Sequence, residues 1–301
     1  MPRKTAVLYS LCLCIAVCLF LSLGCTAPGA ESLGSVSEPD ENGFRTCVYK
    51  DVKRKFLLYI PENAPKGAPL LFMLHGYGDA ADVFADTTGM AAAANARGYA
   101  VVYPQGQGDP SDKTSAACWN FDGKKDGNDD VGFLTALARY LQSTYGFDKK
   151  ATFVTGFSNG AFMTYRLAGD APKTFRAVAS VSGTMGMTTW KERMGKAGAA
   201  ILQITGTKDD LVALRAEDAH GLPAVEEVIA YWKAANVLGD AETEQLSPQT
   251  SLSRYGSAKR GNLLWNIVIE NGRHAWPQEA FSGVVVNEVI LDFFDAVRGT
   301  K

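Results

Sequence analysis

The part of the sequence best suited to covalent chemistry is a serine between two glycines, Gly156-Phe157-Ser158-Asn159-Gly160. An apolar stretch typical of a buried strand precedes this run, and residues with helical composition follow it, so the serine stands at a sharp strand-to-helix turn. Such a turn strains its central residue and leaves no room for side chains two positions away, a demand that glycine meets. The pattern predicts that the Ser158 hydroxyl projects clear of the sheet as a nucleophile.

A serine hydroxyl needs a base that takes its proton, and the sequence offers three histidines, His75, His220 and His274. His274 follows an apolar stretch, 263–269, where the carboxyl end of a parallel strand would bring it to the active edge of a sheet. Because imidazole exchanges protons near neutral pH, we expect His274 to be the base. We interpret His75 as a residue that orients a glycine-rich loop, and His220 as a surface residue.

The third group that this chemistry needs is a carboxylate that orients the base, and two adjacent aspartates compete for that role. Asp209 and Asp210 follow the apolar stretch 200–205, in the run GTKDDLV. The spacing Gly-x-x-Asp-x-x-Val is typical of an acid loop and favours Asp209. We therefore predict a catalytic series of Ser158 as nucleophile, His274 as base and Asp209 as orienting acid.

Acyl transfer also needs hydrogen-bond donors for the negative charge that develops on the carbonyl oxygen. We predict one donor in the backbone N–H of Asn159, at the positive end of the helix that follows the turn. The second predicted donor is the backbone N–H of Tyr77, in the loop His75-Gly76-Tyr77-Gly78. Both donors are main-chain groups, so changes in the two side chains need not remove them.

Other side chains near these loops have weaker signals. Trp276, two residues after the predicted base, and Trp119, in a polar loop, either line the substrate cleft or pack in the core, and we expect Phe157 in the core. The acidic run 122–130 lacks the glycine and the final glutamate that an EF-hand needs in register, which favours a capped helix start. We predict no metal site and no cofactor.

The stretches that must position these groups alternate between strand and helix patterns. The predicted strands are 44–49 and 55–60, which form an antiparallel hairpin, and then 69–74, 100–103, 151–155, 177–181, 200–205 and 263–269. The predicted helices are 82–97, 128 or 129 to about 145, 159–167, 223–236 and 284–297. This order predicts an α/β fold whose doubly wound, mostly parallel sheet carries helices on both faces.

The composition of the chain limits the number of domains and the class of binding partner that we expect. The chain has 301 residues, 47% of them hydrophobic, which is enough for one large catalytic domain, predicted over 44–301. The net charge of -2 comes from 30 basic and 32 acidic residues. A chain with no basic excess has little to neutralise phosphates, so we expect no nucleic-acid partner.

The first 43 residues read as an export and attachment segment. Residues 1–24 have Arg3 and Lys4 before an uncharged apolar run, as an export signal does. The run Leu21-Ser22-Leu23-Gly24-Cys25 resembles a bacterial lipobox and predicts lipidation of Cys25, with plain secretion or an uncleaved membrane anchor as alternatives. Residues 25–43 are predicted to be a flexible tether. The expected location is extracellular, periplasmic or at the cell surface, with membrane contact only through the lipid.

Two cysteines, Cys47 and Cys118, lie beyond the export segment. In an oxidising compartment they could form a disulfide that joins the first strand to the loop at Trp119, or they could remain two unpaired buried thiols. The sequence leaves both alternatives open.

Taken together, the motifs resemble those of secreted polyhydroxybutyrate depolymerase-like and feruloyl-esterase-like serine esterases of the α/β-hydrolase superfamily. The residues that carry the resemblance extend in order from about 70 to 280; they are LHG at 74–76, CWN at 118–120, DDVGF at 129–133, GFSNG at 156–160, GTKD at 206–209, VEE at 225–227, YW at 231–232 and HAWP at 274–277. The resemblance implies hydrolysis of carboxylic esters, with Ser158, Asp209 and His274 as the triad. Relatives act on hydroxyalkanoate polymers, on feruloyl or acetyl groups of polysaccharides, and on small esters, so the resemblance does not choose a substrate.

The function that we predict is therefore an exported serine esterase that works through an acyl-enzyme. Its expected substrates are polyhydroxyalkanoate-type oligoesters or feruloyl and acetyl esters of polysaccharides. A serine peptidase of the same fold is one alternative, and a non-catalytic surface binding protein is another. The sequence does not indicate an oligomeric state.

Overall fold

A ten-stranded sheet organises the residues that the computed structural model describes, namely 32–299 without 113, 197, 220 and 257–261. The predicted export signal, Cys25 and His220 lie outside the described residues. The strands are β1 Arg45–Tyr49, β2 Val52–Tyr59, β3 Leu70–Leu74, β4 Ala100–Pro104, β5 Thr152–Phe157, β6 Ala177–Val181, β7 Ala200–Gly206, β8 Ala241–Ser247, β9 Thr250–Tyr255 and β10 Leu264–Ile269. The helices are α1 Ala81–Thr88, α2 Met90–Ala96, α3 Asp130–Tyr145, α4 Asn159–Asp170, α5 Met187–Lys191, α6 Val225–Ala235, α7 Glu279–Ser282 and α8 Val286–Arg298.

The strand order is β1-β2-β4-β3-β5-β6-β7-β10-β9-β8. The central strands from β4 to β10 in this order run parallel, whereas β1, β2, β9 and β8 pair antiparallel at the two edges. Every residue of β3, β4 and β6 is buried, as the apolar central strands of a parallel sheet must be. The carboxyl ends of β5, β7 and β10 consequently open onto the same edge of the sheet.

Helices cover both faces of the sheet, as predicted. One hydrophobic core packs α3, α4 and α6 against the sheet through residues such as Phe133, Met163 and Trp232. The other packs α1, α2 and α8 against the opposite face, through residues such as Phe84 and Phe293. The doubly wound α/β architecture that the alternating pattern predicted is therefore confirmed.

Two departures from the predicted elements have clear causes. The single helix predicted over 82–97 is divided into α1 and α2 at Gly89, which adopts a φ of +60° and ends α1 with a left-handed cap. The hairpin of β8 and β9 was not predicted, because both strands lie at the sheet edge and carry mainly polar, partly exposed residues.

Part of the predicted tether runs along β1. Gly34 N–H donates to Val48 O and Ser37 N–H donates to Thr46 O, both at 2.9 Å. Leu33 and Val36 pack against the core under this strip. From residue 34 onward, the segment is thus attached to the sheet edge by backbone hydrogen bonds.

The disulfide considered for Cys47 and Cys118 does not form in this structure, where both are free cysteines. Cys47 is buried in β1, and burial raises the pKa of its thiol to about 11. Cys118 lies half-buried in the loop before Trp119, where burial also raises the thiol pKa. Both groups are thus neutral thiols at physiological pH.

Within the part of the chain that the structure describes, no helix is long and apolar enough to cross a membrane.

Candidate active site

The turn between β5 and α4 has the strained geometry that its glycines predicted. Ser158 adopts a φ of +50° and a ψ of −117°, and its N–H donates to Val181 O at 3.0 Å. A Cβ at Gly156 would overlap the Gly160 backbone, and one at Gly160 would overlap the carbonyl of Leu74. Only glycine fits at either position, because β3, β5 and α4 pack too closely at this turn to leave room for a side chain. This close packing explains the two glycines of the sequence pattern.

Three side chains from separate loops meet in series at the carboxyl edge of the sheet. Ser158 Oγ lies 2.8 Å from His274 Nε2, and His274 Nδ1 lies 3.0 Å from each carboxylate oxygen of Asp209. Because the aspartate is an acceptor, Nδ1–H donates to it, which leaves Nε2 to accept the hydroxyl proton of the serine. The side chain of His274 is 14% exposed and that of Asp209 is 0% exposed.

Asp209 is held as a carboxylate by its hydrogen bonds. Its Oδ1 accepts from the backbone N–H groups of Leu211 at 3.0 Å and Val212 at 2.9 Å, besides the bond from His274. Burial raises the pKa of this group, but the hydrogen bonds and the imidazole outweigh burial, so the pKa of Asp209 lies below its ordinary value. Asp210, the alternative acid, is exposed.

The loops that carry the acid and the base are fastened to each other. Lys208 N–H donates to Gly272 O, and Asn271 N–H donates to Thr207 Oγ1, both at 2.8 Å. A Cβ at Gly206 would overlap the backbone of Gly272, so these two glycines let the loops touch. This contact fixes the distance between Asp209 and His274 through the backbone.

The predicted oxyanion donors lie on two segments that line one cleft. Asn159 is the first residue of α4, where helix N–H groups have no partner within the helix, and Tyr77 is 65% exposed in the loop after β3. Both border a cleft of about 420 Å³, which we call the Trp119 cleft. Its other lining residues are polar or aromatic for the most part; they are Gly108, Asp109, Asp112, Ser115, Cys118, Trp119, Asn120, Phe121, Asp122, Lys124, Gly127 and Asn128.

Trp119 connects the two segments that carry these donors. Its backbone N–H donates to Asn159 Oδ1 at 2.7 Å, and its indole Nε1–H donates to His75 O at 3.1 Å. The side chain is 2% exposed and packs against the His75 ring, with the ring centroids 5.2 Å apart. The indole therefore borders the cleft while most of its surface lies in the core, and this bridging contact was not evident from the sequence.

His75 lies beneath the loop that carries Tyr77. Gly106 N–H donates to its Nε2 at 2.9 Å, and its Nδ1–H donates to Gly76 O at 2.7 Å. Both ring nitrogens are thus used within the protein, and burial lowers the pKa of this imidazole. This neutral ring orients the loop, as we interpreted it from the sequence.

Trp276 does not lie in the Trp119 cleft. It is buried, and its ring packs edge-on against Phe84, with centroids 5.6 Å apart. It borders a separate cavity of about 310 Å³, which we call the Trp276 cavity. Phe157 is partly buried against the core, and its ring lies 5.2 Å from that of His274.

The sequence analysis missed a buried ion pair behind the Trp119 loop. Arg54 on β2 donates to Asp130 at the start of α3, and both side chains are almost wholly inaccessible to solvent. The other carboxylate oxygen of Asp130 accepts from Asn120 N–H at 2.8 Å. A signal was present in the run DDVGF, whose acidic residues we interpreted as part of a capped helix start, with residue 128 or 129 as the cap.

No cluster of three or more histidine, cysteine or acidic side chains suited to a metal ion occurs among the described residues. The site itself offers a hydroxyl, an imidazole and a carboxylate in series.

Comparison with known proteins gives a consistent picture. The family model described as "Esterase PHB depolymerase" matches residues 54–258. The putative esterase NocK of Nocardia uniformis subsp. tsuyamanensis is 28% identical over 260 residues, which are 79% of this chain and 74% of that protein. Feruloyl esterase B of Talaromyces stipitatus is 30% identical over 156 residues, 51% of this chain. Poly(3-hydroxyalkanoate) depolymerase C of Paucimonas lemoignei is 30% identical over 128 residues, 42% of this chain.

The match covers only part of the latter two relatives, 40% of the feruloyl esterase and 30% of the depolymerase. Among solved structures, the acetyl xylan esterase from Aspergillus awamori superposes with a TM-score of 0.59 at 16% identity, covering 88% of this chain and 99% of that one. At this identity the likeness concerns the fold, which is that of the α/β-hydrolases, as predicted from the sequence.

Proposed function

Because the chain belongs to the esterase PHB depolymerase family and is a carboxylic ester hydrolase, we propose that Ser158, His274 and Asp209 carry its reaction through an acyl-enzyme. The observation that supports this proposal is the unbroken series of hydrogen bonds from Ser158 Oγ through the His274 ring to the buried Asp209. A cofactor has no role in this scheme, since each step uses a group of the chain itself.

In the proposed mechanism, His274 Nε2 takes the hydroxyl proton while Ser158 Oγ attacks the ester carbonyl carbon. Asp209 stabilises the imidazolium that forms and holds the ring in its tautomer. The backbone N–H groups of Asn159 and Tyr77 donate to the oxyanion. The imidazolium then gives its proton to the departing alcohol, and a water molecule, deprotonated by the same nitrogen, releases the acid from Ser158.

For the substrate, we propose acetyl or feruloyl esters of neutral polysaccharides. The Trp119 cleft supports this choice, because its carboxylates, amides and hydroxyl match the hydrogen-bonding needs of a hydroxyl-rich alcohol. Its aromatic side chains, Tyr77 and Phe121, offer apolar faces for a sugar ring. An oligomer of hydroxyalkanoate lacks free hydroxyls along its chain and would make fewer hydrogen bonds with these groups.

Oligoesters of the polyhydroxyalkanoate type remain the second candidate, supported by the similarity to the depolymerase from Paucimonas lemoignei. A panel of acetylated xylan oligomers, methyl ferulate, hydroxybutyrate oligomers and peptide anilides separates the candidates. Turnover of the saccharide esters at the highest kcat/KM is expected. Preference for the hydroxybutyrate oligomers would reverse the order, and preference for the anilides would indicate a peptidase.

The assignment of the nucleophile is tested by covalent labelling. A fluorophosphonate should label the wild-type chain and not Ser158→Ala, and the substitution should lower kcat by about 10⁴-fold or more. Ser182→Ala is the matched control, because Ser182 also ends a parallel strand with a φ of +50° but faces Ala275 O rather than an imidazole. Labelling that persists in Ser158→Ala would contradict the assignment, and affinity for esters without turnover in the wild type would favour a binding protein.

We also propose that the chain is exported, with residues 1–24 as signal, lipid on Cys25, a short tether and a catalytic domain from residue 44. The apolar run and the lipobox-like sequence support this organisation. Radioactive palmitate should label the wild-type chain and not Cys25→Ala. Release of the unlabelled wild-type chain into the medium would instead indicate plain secretion.

A further inference from the structure

The Trp276 cavity lies behind the loop that carries His274. It is bordered by the ends of β6, β7 and β10, by residues 271–273 and 275–278 and by Phe281 of α7. Arg273 and Ala275, the two neighbours of His274, both line it, whereas His274 itself does not, because its side chain is turned toward Ser158. No residue is shared between the lining of this cavity and that of the Trp119 cleft, so the two sites are separate.

The walls of the cavity are apolar and its charge is positive. Ile204, Ile269 and Trp276 belong to the hydrophobic core on this side of the sheet, and Phe281, half-exposed, extends the apolar wall outward. Arg273 is the one ionisable residue among those that line the cavity. It is exposed, so its guanidinium is accessible to a ligand at the rim.

We propose that the Trp276 cavity is a second binding site, which takes a small monocarboxylic acid with an apolar body. The volume of about 310 Å³ is at the lower end of the range for ligand pockets and suits a short aliphatic chain or a single aromatic ring. A guanidinium recognises a carboxylate by paired hydrogen bonds, while the apolar walls take the remainder of the acid.

The charges that line the two sites favour a carboxylate in the Trp276 cavity over the Trp119 cleft. The Trp119 cleft is lined by three aspartates and one lysine, Asp109, Asp112, Asp122 and Lys124, so it repels an anion. The lining of the Trp276 cavity contributes one positive charge and no negative charge. A carboxylate is therefore disfavoured in the Trp119 cleft and favoured in the cavity behind the His274 loop.

Occupancy of the cavity acts on the base through the backbone. Ser182 Oγ donates to Ala275 O at 3.3 Å, a long hydrogen bond that connects the segment after His274 to the end of β6. A ligand seated among Ala275, Trp276 and Ile269 moves that segment and with it the imidazole. The site thus provides feedback by an acid of the class that the enzyme produces, and this source of ligand rests on the proposed function.

Binding is measured first, without turnover. Ser158→Ala is titrated with 3-phenylpropionate, and with 3-phenylpropionamide as the neutral analogue, by calorimetry and tryptophan fluorescence. Binding of the acid, at least tenfold weaker for the amide, is expected. Arg273→Gln should weaken binding of the acid at least tenfold, and Phe281→Ala several-fold. Lys208→Gln is the matched control, because Lys208 is an exposed cation on the adjoining loop that does not line the cavity.

The second measurement locates the ligand. After a fluorophosphonate has blocked Ser158 of the wild-type chain, the acid should still bind. With the unblocked wild-type enzyme, the acid should inhibit ester hydrolysis by lowering kcat without raising KM. Loss of binding on phosphonylation, competitive inhibition, equal affinity in Arg273→Gln and Lys208→Gln, or no binding would each overturn the site. If the wild-type chain binds the acid but hydrolyses no ester, the proposed function is contradicted and the site is not.

Discussion

At the residue scale, the adjacent carboxylates of Asp209 and Asp210 differ in their hydrogen bonds and in their exposure to solvent. Asp209 accepts hydrogen bonds from Leu211, Val212 and His274 and is closed off from solvent, whereas Asp210 points into solvent from the same loop. The sequence favoured Asp209 through its spacing from Gly206, which reflects how soon after β7 the loop must turn. The bonds from Leu211 and Val212 are local to this loop, whereas the bond from His274 depends on β10 and therefore on tertiary structure.

Asp209→Asn should lower kcat by about 10³- to 10⁴-fold, because an amide can donate to Nδ1 and so favours the wrong tautomer of His274. Steady-state kinetics on an activated ester measure this loss. Asp210→Asn is the paired control and should stay within about twofold of the wild type, as exposed substitutions do. A larger loss in Asp210→Asn than in Asp209→Asn would assign the acid to the other residue.

His75 predicts a pH dependence of stability. Burial lowers its pKa, so between that value and about 6.5 the unfolded chain binds a proton that the folded chain does not. The free energy of unfolding should therefore be highest above pH 6.5 and decrease as the pH falls below it, by at most about 1.4 kcal/mol per pH unit from this group. Urea unfolding at pH 7.5, 6.5 and 5.5 tests this, and His75→Gln should flatten the profile. An identical slope in the variant would exclude His75 as its origin.

At the scale of elements, the apolar pattern predicted the strands that are buried on both faces of the sheet and missed the strands that are partly exposed. The strands β3 to β7 and β10 were found because parallel strands under helices are almost continuously apolar. The hairpin β8–β9 was missed because the partly exposed sequences AETEQLS and TSLSRY have no apolar run. Likewise, the three predicted triad residues follow strand ends, whereas the roles of Trp119 and Arg54 depend on which loops become neighbours in the folded chain.

The end of α6 has a strained residue that a substitution can relieve. Val237 N–H donates to Ala234 O and Leu238 N–H donates to Lys233 O, which is the bonding of a Schellman cap. Such caps favour glycine, but Val237 occupies the left-handed position with a φ of +54° and is 84% exposed. Val237→Gly should raise the free energy of unfolding by about 1 kcal/mol, as measured by urea denaturation. Val83→Gly, within α1, is the control and should lower it by about the same amount.

Trp119 connects the segments that carry the two proposed oxyanion donors, so we expect it to act as a positioning residue. Trp119→Phe keeps the ring in the core and removes the N–H that donates to His75 O, so kcat should fall up to about tenfold while KM stays within about threefold. Trp190→Phe is the matched control, since Trp190 packs against Tyr231 and Arg193 instead. A change in KM alone would indicate that the indole binds substrate rather than positioning the donors.

At the scale of the whole molecule, one buried ion pair joins the second strand from the sheet edge, a helix and the loop that contains Trp119. Arg54 lies on β2, its partner Asp130 begins α3, and Asp130 also accepts from the loop that contains Trp119. The guanidinium is further stacked on Phe133, 4.4 Å from the ring centroid. The antiparallel edge of the sheet is thereby connected to the site at its centre.

Breaking this pair should be costly, because one charge would remain buried without its partner. Asp130→Asn should lower the free energy of unfolding by about 3 to 5 kcal/mol, seen as a large fall in Tm. Asp129→Asn is the matched control. Asparagine caps a helix as well as aspartate does, and the bond to Lys50 is partly exposed, so this loss should be about 1 kcal/mol or less. Equal losses of stability in the two variants would mean that the buried pair of Arg54 and Asp130 stabilises the protein no more than the helix cap at Asp129 does.

The strip of chain beside β1 has a consequence for how the protein avoids self-association. β1 is the outermost strand on its side, and Gly34 and Ser37 occupy backbone acceptors that would otherwise face a neighbouring molecule. The free backbone groups of an unpaired edge strand can pair with a strand of a second molecule, and a segment that is hydrogen-bonded along the edge prevents this pairing. The strip at 34–37 therefore also protects the sheet edge against pairing with another molecule, and a chain shortened to begin at residue 44 would lose that protection while keeping its chemistry intact.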